Sequence, residues 1–401
     1  MKKILFVDDD PQILQGLRRM LRSMRAEWHL EFAESGEEAL GILSLQRFDV
    51  VVSDMKMHGM DGAELLGEVK RLYPWTVRLI LSGHSDRTSI MKALGPSHQY
   101  LSKPCDPDLL KATVDRACRL RGLLQSDHLA ALVSQMESLP SLPQLFRQVV
   151  EELKKPEASL KKVGQLIEKD VAMSANILKI VNSSYFGLVR TIDSVSQAVV
   201  YLGLDTVNSL ILASQLYEQF SPPPNCPVRA ERLWEYSLSS AELAKSIAVC
   251  ESDDPQLAND SYTAALLHDV GMLVLAMNLP EEYCRVLKSV RDGSTFFQAE
   301  RQIFGATHPE AGAYLLGLWG LPDPIVEAVA YHLEPSRAGQ TAFSPLTAVH
   351  VASAWACERS HEEGFGPLQQ IDSEYMESLG LESRLEVWRE ACREHFCEVA
   401  Q

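Results

Sequence analysis

No apolar run in the chain approaches the ~20 residues that a membrane-spanning helix needs, so no membrane partner is expected. No signal-peptide pattern opens it; the N-terminus runs straight into a strand-like stretch. No Cys-x-x-Cys pair occurs. The eight cysteines are scattered, the nearest pair being Cys392 and Cys397. That favours reduced thiols in a cytoplasmic protein over a disulfide framework or a zinc site. No stripe of Lys and Arg is long enough to overcome a formal charge of −16, which argues against nucleic acid as a partner. What remains is ordinary globular composition, 46% apolar and 23% charged, over 401 residues, with room for two or three domains.

The stretch around which the chain is organised is Lys2 to Asp10, KKILFVDDD. Four apolar residues end in three consecutive aspartates. A run of this length reads as a buried parallel strand. Carboxylates at its end would sit on the edge of an open sheet, where α/β folds hold their ligands. Clustered like charges need a cation to relieve them, and oxygen ligands suit Mg²⁺.

Strand and helix then alternate. Pro11 can open a helix whose apolar residues, Ile13, Leu14, Leu17, Met20 and Leu21, recur at helical spacing. A short strand follows at 30–33. Ser35 with Glu38 has the pattern of a capping box. Further strands are predicted at 48–53, 77–81 and around Tyr100, with helices at 63–72, 88–94 and 106–124. Five such alternations predict a doubly wound parallel sheet, a (β/α)5 unit. Asp8, Asp9, Asp54, Ser82 and Lys103 all fall at or just past strand ends, so the strands deliver their chemistry to one edge.

This stretch resembles the response-regulator receiver domain, through VDD at 7–9, SDMKMHGMDG at 53–62, LSG at 81–83 and YLSKP at 100–104. The resemblance implies a strand order of 2-1-3-4-5 and Asp54 as phosphoacceptor. It implies Mg²⁺ held by Asp8, Asp9, Asp54 and the main-chain carbonyl of Lys56. Lys103 would pair with the phosphoryl group, Ser82 would hydrogen-bond it, and Tyr100 would turn inward behind it. Pro104 would follow a cis peptide bond. A sensor histidine kinase would supply the phosphoryl group. These roles make physical sense. A carboxylate is a weak nucleophile that needs a divalent ion to spread the charge of the phosphoryl oxygens, and phosphorylation adds up to about two negative charges that a hydroxyl and an ammonium can meet. His58 departs from the family's usual proline and is expected to touch no catalytic group.

Residues 109–132 read either as one nearly continuous helix or as two with a break near Ser126 and Asp127. Pro140 and Pro143 mark the start of the next unit. Beyond them no convincing strand pattern appears. Apolar residues recur at helical spacing over 145–153, 160–168, 173–181, 195–202 and 206–220, which reads as all-helical. In YTAALLHDVGMLVLA, His268 and Asp269 stand inside an apolar stretch read as one helix. Buried polar groups must be paired or bound to something. His308 and His332 have similar surroundings, so three histidines and an aspartate form a plausible metal constellation. A lone histidine in such a helix is more often a satisfied core residue.

The second unit resembles the HDOD domain, a relative of the HD and HD-GYP phosphohydrolases, through IVNSSYFG, AVVYLGL, LWEYS, LLHDVGMLVL, THPEAGAYLLGLW and HLEP. Members with an intact His…His-Asp…Asp set hold divalent metal and hydrolyse phosphate esters. Here Tyr236 stands at the first histidine position, Ser353 at the last aspartate, Met272 at a frequent lysine, and Leu333 at the second histidine of a pair. A phenol and a hydroxyl are poor ligands for a hard divalent ion. The expectation is a degenerate site of His268, Asp269, His308 and His332 without a transition metal, in which His268 and Asp269 form a hydrogen-bonded pair. The output would then act by protein contacts on an unknown downstream signalling protein, with a homodimer as one arrangement. Two rivals stay open: a receiver-gated phosphodiesterase for a cyclic dinucleotide, and a nucleotide-sensing binding module. The expected division is a receiver at 1–122, a helical linker at 123–139, the HDOD domain at 140–335 and a helical extension at 336–401 packed on it.

Overall fold

The computed structural model describes residues 1–82, 97–103, 105–121, 124, 127–134, 136, 148–149, 152–153, 155, 159–182, 191–203, 230–359 and 370–393. The expected helices at 88–94 and 206–220, and the isomer at Pro104, lie outside them. The chain divides into two compact units, one built mainly on residues 1–137 and one on the helical remainder.

In the first unit β1 (Lys2–Val7), β2 (Trp28–Ala33), β3 (Val50–Asp54), β4 (Val77–Ser82) and β5 (Gln99–Ser102) form one sheet in the order β2-β1-β3-β4-β5. All pairs are parallel, with Phe6 beside Val52 and Val52 beside Leu79. Every residue of β3 is buried, as an inner strand covered on both faces requires. The helices α1 (Pro11–Met20), α2 (Gly36–Leu45), α3 (Gly62–Leu72) and α4 (Pro107–Arg121) start on side chains that satisfy orphan amides. Asp10 accepts from the Gln12 amide at 2.8 Å, with Pro11 opening the helix. Ser35 accepts from the Glu38 amide at 3.1 Å, but the Glu38 carboxylate takes the amide of Glu34, not that of Ser35. The full reciprocal box is at Asp61 and Glu64, with bonds of 2.8 and 3.1 Å. Residues 109–132 fall in two helices: Leu124 is non-helical, and α5 (Asp127–Ser134) follows α4.

Among the described residues of the second unit there is no strand. Its described helices include α6 (Leu160–Glu168), α7 (Val171–Val181), α8 (Ala230–Glu251), α9 (Pro255–Leu267), α10 (Val270–Asn278), α11 (Pro280–Arg291), α12 (Phe296–Phe304), α13 (His308–Leu318), α14 (Asp323–Tyr331), α15 (Pro345–Arg359), α16 (Ser373–Ser378) and α17 (Arg384–Ala391), and residues 195–203 are helical as expected. The long α8 packs against α9 and α15, and α9 also meets α14. The last helix is fastened to α8 by Trp388, fully buried, whose indole N–H donates to Glu251 at 2.6 Å beside Arg384. No helix among the described residues is long and apolar enough to cross a membrane.

Candidate functional sites: an acidic sheet edge and a buried histidine cluster

Asp54 is the last residue of β3, and Asp8 and Lys103 each follow a strand end. Lys103 Nζ lies 2.5 Å from Asp8 Oδ2 and 2.6 Å from Asp54 Oδ1, so three strands converge on one ammonium. Burial raises the pKa of Asp8 even though Lys103 hydrogen-bonds it. Burial also works against the charged Lys103, but hydrogen bonds to Asp54 and Asp8 outweigh it and hold its pKa above the ordinary lysine value. The main-chain amide of Lys56 donates to Asp54 Oδ2 at 2.8 Å, which folds the loop back over the carboxylate. Gly62 permits this loop. A Cβ there would stand 2.0 Å from the carbonyl oxygen of Asp54. Ser82 closes β4 and Tyr100 lies in β5, but their side chains are outside the described parts.

One expectation fails here. His58 does touch a site residue: its amide donates to Asp9 Oδ2 at 2.9 Å, and its Nδ1 lies 2.5 Å from the same oxygen. Burial alone would raise the Asp9 pKa, but the hydrogen bonds from His58 hold it below the usual carboxylate range. A proline at position 58 could make neither bond, having no amide hydrogen and no imidazole to offer. Three carboxylates against one lysine ammonium form a hard-oxygen donor set that fits a divalent cation such as Mg²⁺. Asp8, Asp9 and Asp54 are the residues that would hold it, and it would spread charge from phosphoryl oxygens.

The second cluster corrects the reading of His268 and Asp269 as residues inside one helix. The helix breaks between them. His268 ends α9, and Asp269, at φ −103° and ψ 11°, starts α10. His308 opens α13 and His332 ends α14. All four groups thus sit at helix ends, where side chains can converge without the spacing of a single helical face. Gly271 makes the convergence possible: a Cβ there would lie 1.9 Å from the His308 carbonyl oxygen.

The expected hydrogen-bonded pair of His268 and Asp269 is not formed either. His268 Nε2 stands 3.4 Å from Asp269 Oδ2, beyond good hydrogen-bond range, and has no hydrogen-bond partner although fully buried. The partner of Asp269 is His308, whose Nε2 is 3.1 Å from Oδ1. The other nitrogen of His308 lies 2.8 Å from Glu300, a wholly buried glutamate that the sequence reading missed. Its signal was there: Glu300 falls on the apolar stripe of Phe296 and Phe304, where a carboxylate needs a partner. Burial opposes charging His308, but Glu300 and Asp269 outweigh it and raise its pKa to about 10. Burial would also raise Asp269, yet the facing imidazoles hold it far below the ordinary value. His332 is pushed well down, chiefly by burial.

The imidazoles of His268 and His332 are each oriented by a backbone carbonyl, Ala265 at 2.5 Å and Val329 at 3.0 Å from Nδ1. A proton on Nδ1 leaves Nε2 as a lone pair. Ligand atoms of His268, Asp269 and His332 all lie within 4.8 Å of one another. Tyr236 packs on His268 with ring centroids 5.3 Å apart, and its hydroxyl donates to the main-chain carbonyl of Ser353 at 3.0 Å. The two substituted positions therefore meet each other across α8 and α15 beside the cluster.

An acidic edge on a parallel five-stranded sheet, joined in sequence to a helical unit with a buried His-Asp cluster, defines the class. Residues 4–115 match the family model of the response regulator receiver domain, and residues 139–335 that of the HDOD domain. The chain carries a receiver domain followed by an HDOD domain. Among its relatives is the transcriptional regulatory protein GlrR of Escherichia coli K12, 36% identical over 118 residues, or 28% of this chain and 26% of that protein. An uncharacterized protein of Treponema pallidum is 26% identical over 212 residues, 51% of this chain and 39% of that protein. The match thus spans about a quarter to two-fifths of these curated relatives' length. The crystal structure of the MmoQ response regulator from Methylococcus capsulatus aligns with a TM-score of 0.48 and 26% identity, covering 63% of this chain and 97% of that chain.

Proposed function

We propose that the protein is a cytoplasmic two-component response regulator phosphorylated on Asp54 by a partner histidine kinase. Its HDOD output acts by contacts with a downstream protein, with a homodimer as one working form. The observation that carries the reading is the convergence of Asp8, Asp54 and Lys103 from three strand ends, with Asp9 alongside. Asp8, Asp9 and Asp54 would hold Mg²⁺, which would supply charge neutralisation for the phosphoryl oxygens; Lys103 meets the phosphoryl group, and Ser82 and Tyr100 respond to it. The functional division follows as receiver 1–122, connecting segment 123–139, HDOD domain 140–335 and extension 336–401. Labelling by a small radioactive phosphodonor tests the core of this. Asp54→Asn should lose all label with its melting curve intact, and persistent label would place the acceptor elsewhere.

Absence of hydrolysis is part of the proposal, because the Tyr236 hydroxyl is engaged with the Ser353 carbonyl rather than presented to the cluster. Turnover of a cyclic dinucleotide by the purified protein, lost in His268→Ala, would favour the gated phosphodiesterase instead. A second reading of the same cluster is favoured by the orphaned His268 Nε2. It makes His268, Asp269 and His332 the ligands of one divalent transition metal, with His308 and Glu300 supporting Asp269 from behind. Elemental analysis of protein loaded with Mn²⁺ or Fe²⁺ decides. One ion per chain that His332→Ala abolishes supports the metal, and none in the wild type removes it.

A further inference from the structure

Arg78 is the second residue of β4, and it is only 1% exposed. A guanidinium buried in an apolar strand must be compensated by acceptors. One of its nitrogens donates to the Thr76 carbonyl at 3.2 Å. A second donates to the main-chain carbonyl of Ser134, the last residue of α5, at 2.5 Å. The same carbonyl is met by a second side chain, His98, whose Nε2 lies 2.8 Å away. His98 immediately precedes β5 and sits beside Arg78, its amide donating to the Arg78 carbonyl at 2.8 Å. The Arg78 amide in turn donates to His98 Nδ1 at 3.1 Å. With Nδ1 accepting, a neutral imidazole carries its hydrogen on Nε2, which lies 2.8 Å from the Ser134 carbonyl and also 2.8 Å from the Arg78 guanidinium, so that guanidinium, imidazole and carbonyl meet at one point. Ser134 is itself buried, and its hydroxyl donates to carbonyls of Ala131 and Pro74.

The C-terminal carbonyl of α5 is therefore clamped by one donor from β4 and one from β5. A buried cation at a helix C-terminus is the placement that the helix dipole favours. These are also the two strands whose opposite ends carry Ser82 and lead into Lys103. Hydrogen bonds weaken steeply with misalignment, so one carbonyl cannot keep both donors if β4 and β5 shift against each other. We infer that α5, which lies beyond the receiver family match, is a readout element of the receiver: its C-terminal clamp on Arg78 and His98 converts relative movement of β4 and β5 into docking or release of the segment that leads to the HDOD domain. This rests on the phosphorylation reading of Asp54, because the movement it reads is the response of Ser82 and Lys103 to a phosphoryl group.

The test is hydrogen exchange of the full-length protein, followed by mass spectrometry, with Mg²⁺ alone and with Mg²⁺ plus beryllofluoride as phosphoryl mimic. Peptides covering α5 should change their exchange rate by about fivefold or more, the lower end of ordinary allosteric coupling. His98→Phe removes one donor and should abolish that change while the Asp54 loop still becomes protected. His98→Gln keeps an N–H donor and should restore it. Arg78→Met removes the other donor and should abolish the change likewise. If the Asp54 loop responds in the wild type while α5 exchanges identically in both states, the inference is overturned and the receiver reading stands. If the Asp54 loop does not respond and no label is taken from a phosphodonor, the receiver reading falls and the inference with it.

Discussion

At the scale of single residues, the buried acids of the helical unit set its pH response. Asp260 on α9 is nearly buried, and burial, with Asp193 nearby, raises its pKa from 3.8 to about 7. Its folded form holds the proton more tightly than the unfolded chain does. The stabilisation is therefore complete below about pH 4 and is lost as the pH rises through about 7. Asp260→Asn mimics the protonated acid. Thermal melts should show the wild type losing on the order of 2 kcal/mol more than the variant between pH 5 and pH 8; parallel curves would mean that Asp260 ionises freely. Gly271 is a residue-scale constraint of another kind. The atom a Cβ would strike is backbone, so Gly271→Ala must push α10 away from α13. We expect a loss of ~2–3 kcal/mol in a denaturant titration, since backbone cannot swing aside as a side chain would. The value of this site to the cluster was hidden in the sequence, where Gly271 reads as one more small residue in an apolar run.

At the scale of elements, the helix starts were legible and the helix partners were not. Asp10 with Pro11, and Ser35 with Glu38, announce helices by local chemistry that needs no tertiary information. The break between α9 and α10 was not announced, because neither His268 nor Asp269 is a helix breaker and the apolar run continues through both. Just past it Gly271 packs directly against the start of α13, a contact that the sequence does not announce. The C-terminal element offers a direct check on docking. Trp388 is fully buried and its indole N–H is satisfied by Glu251. Trp388→Ala should cost ~3–5 kcal/mol, the range for removing a buried aromatic side chain. It should also increase proteolysis within α17 ahead of global unfolding. A variant as resistant as the wild type would show that α17 is held by other contacts.

At the scale of the whole molecule, a receiver can drive an output only if phosphorylation changes the relative free energy of two arrangements, typically by about 1–3 kcal/mol. Sedimentation of the full chain with and without beryllofluoride measures one such change. A shift toward dimer supports assembly as the output, whereas an unchanged mass leaves contact with another protein as the route.

The sequence by itself determined the parallel five-stranded sheet, its order through family resemblance, the position of Asp54 and the helical nature of the second unit. Those features are written in short-range patterns: apolar runs that stop at acids, capping residues, and apolar spacing. The tertiary structure alone decided that Asp269 pairs with His308 rather than His268, that Glu300 closes the cluster, that His58 reaches Asp9, and that Ser134 is clamped by Arg78 and His98. Each of these depends on where chain-distant or helix-terminal groups are aimed. Hydrogen bonding is directional and short-ranged, so residue identity and spacing cannot fix it until the backbone has been placed.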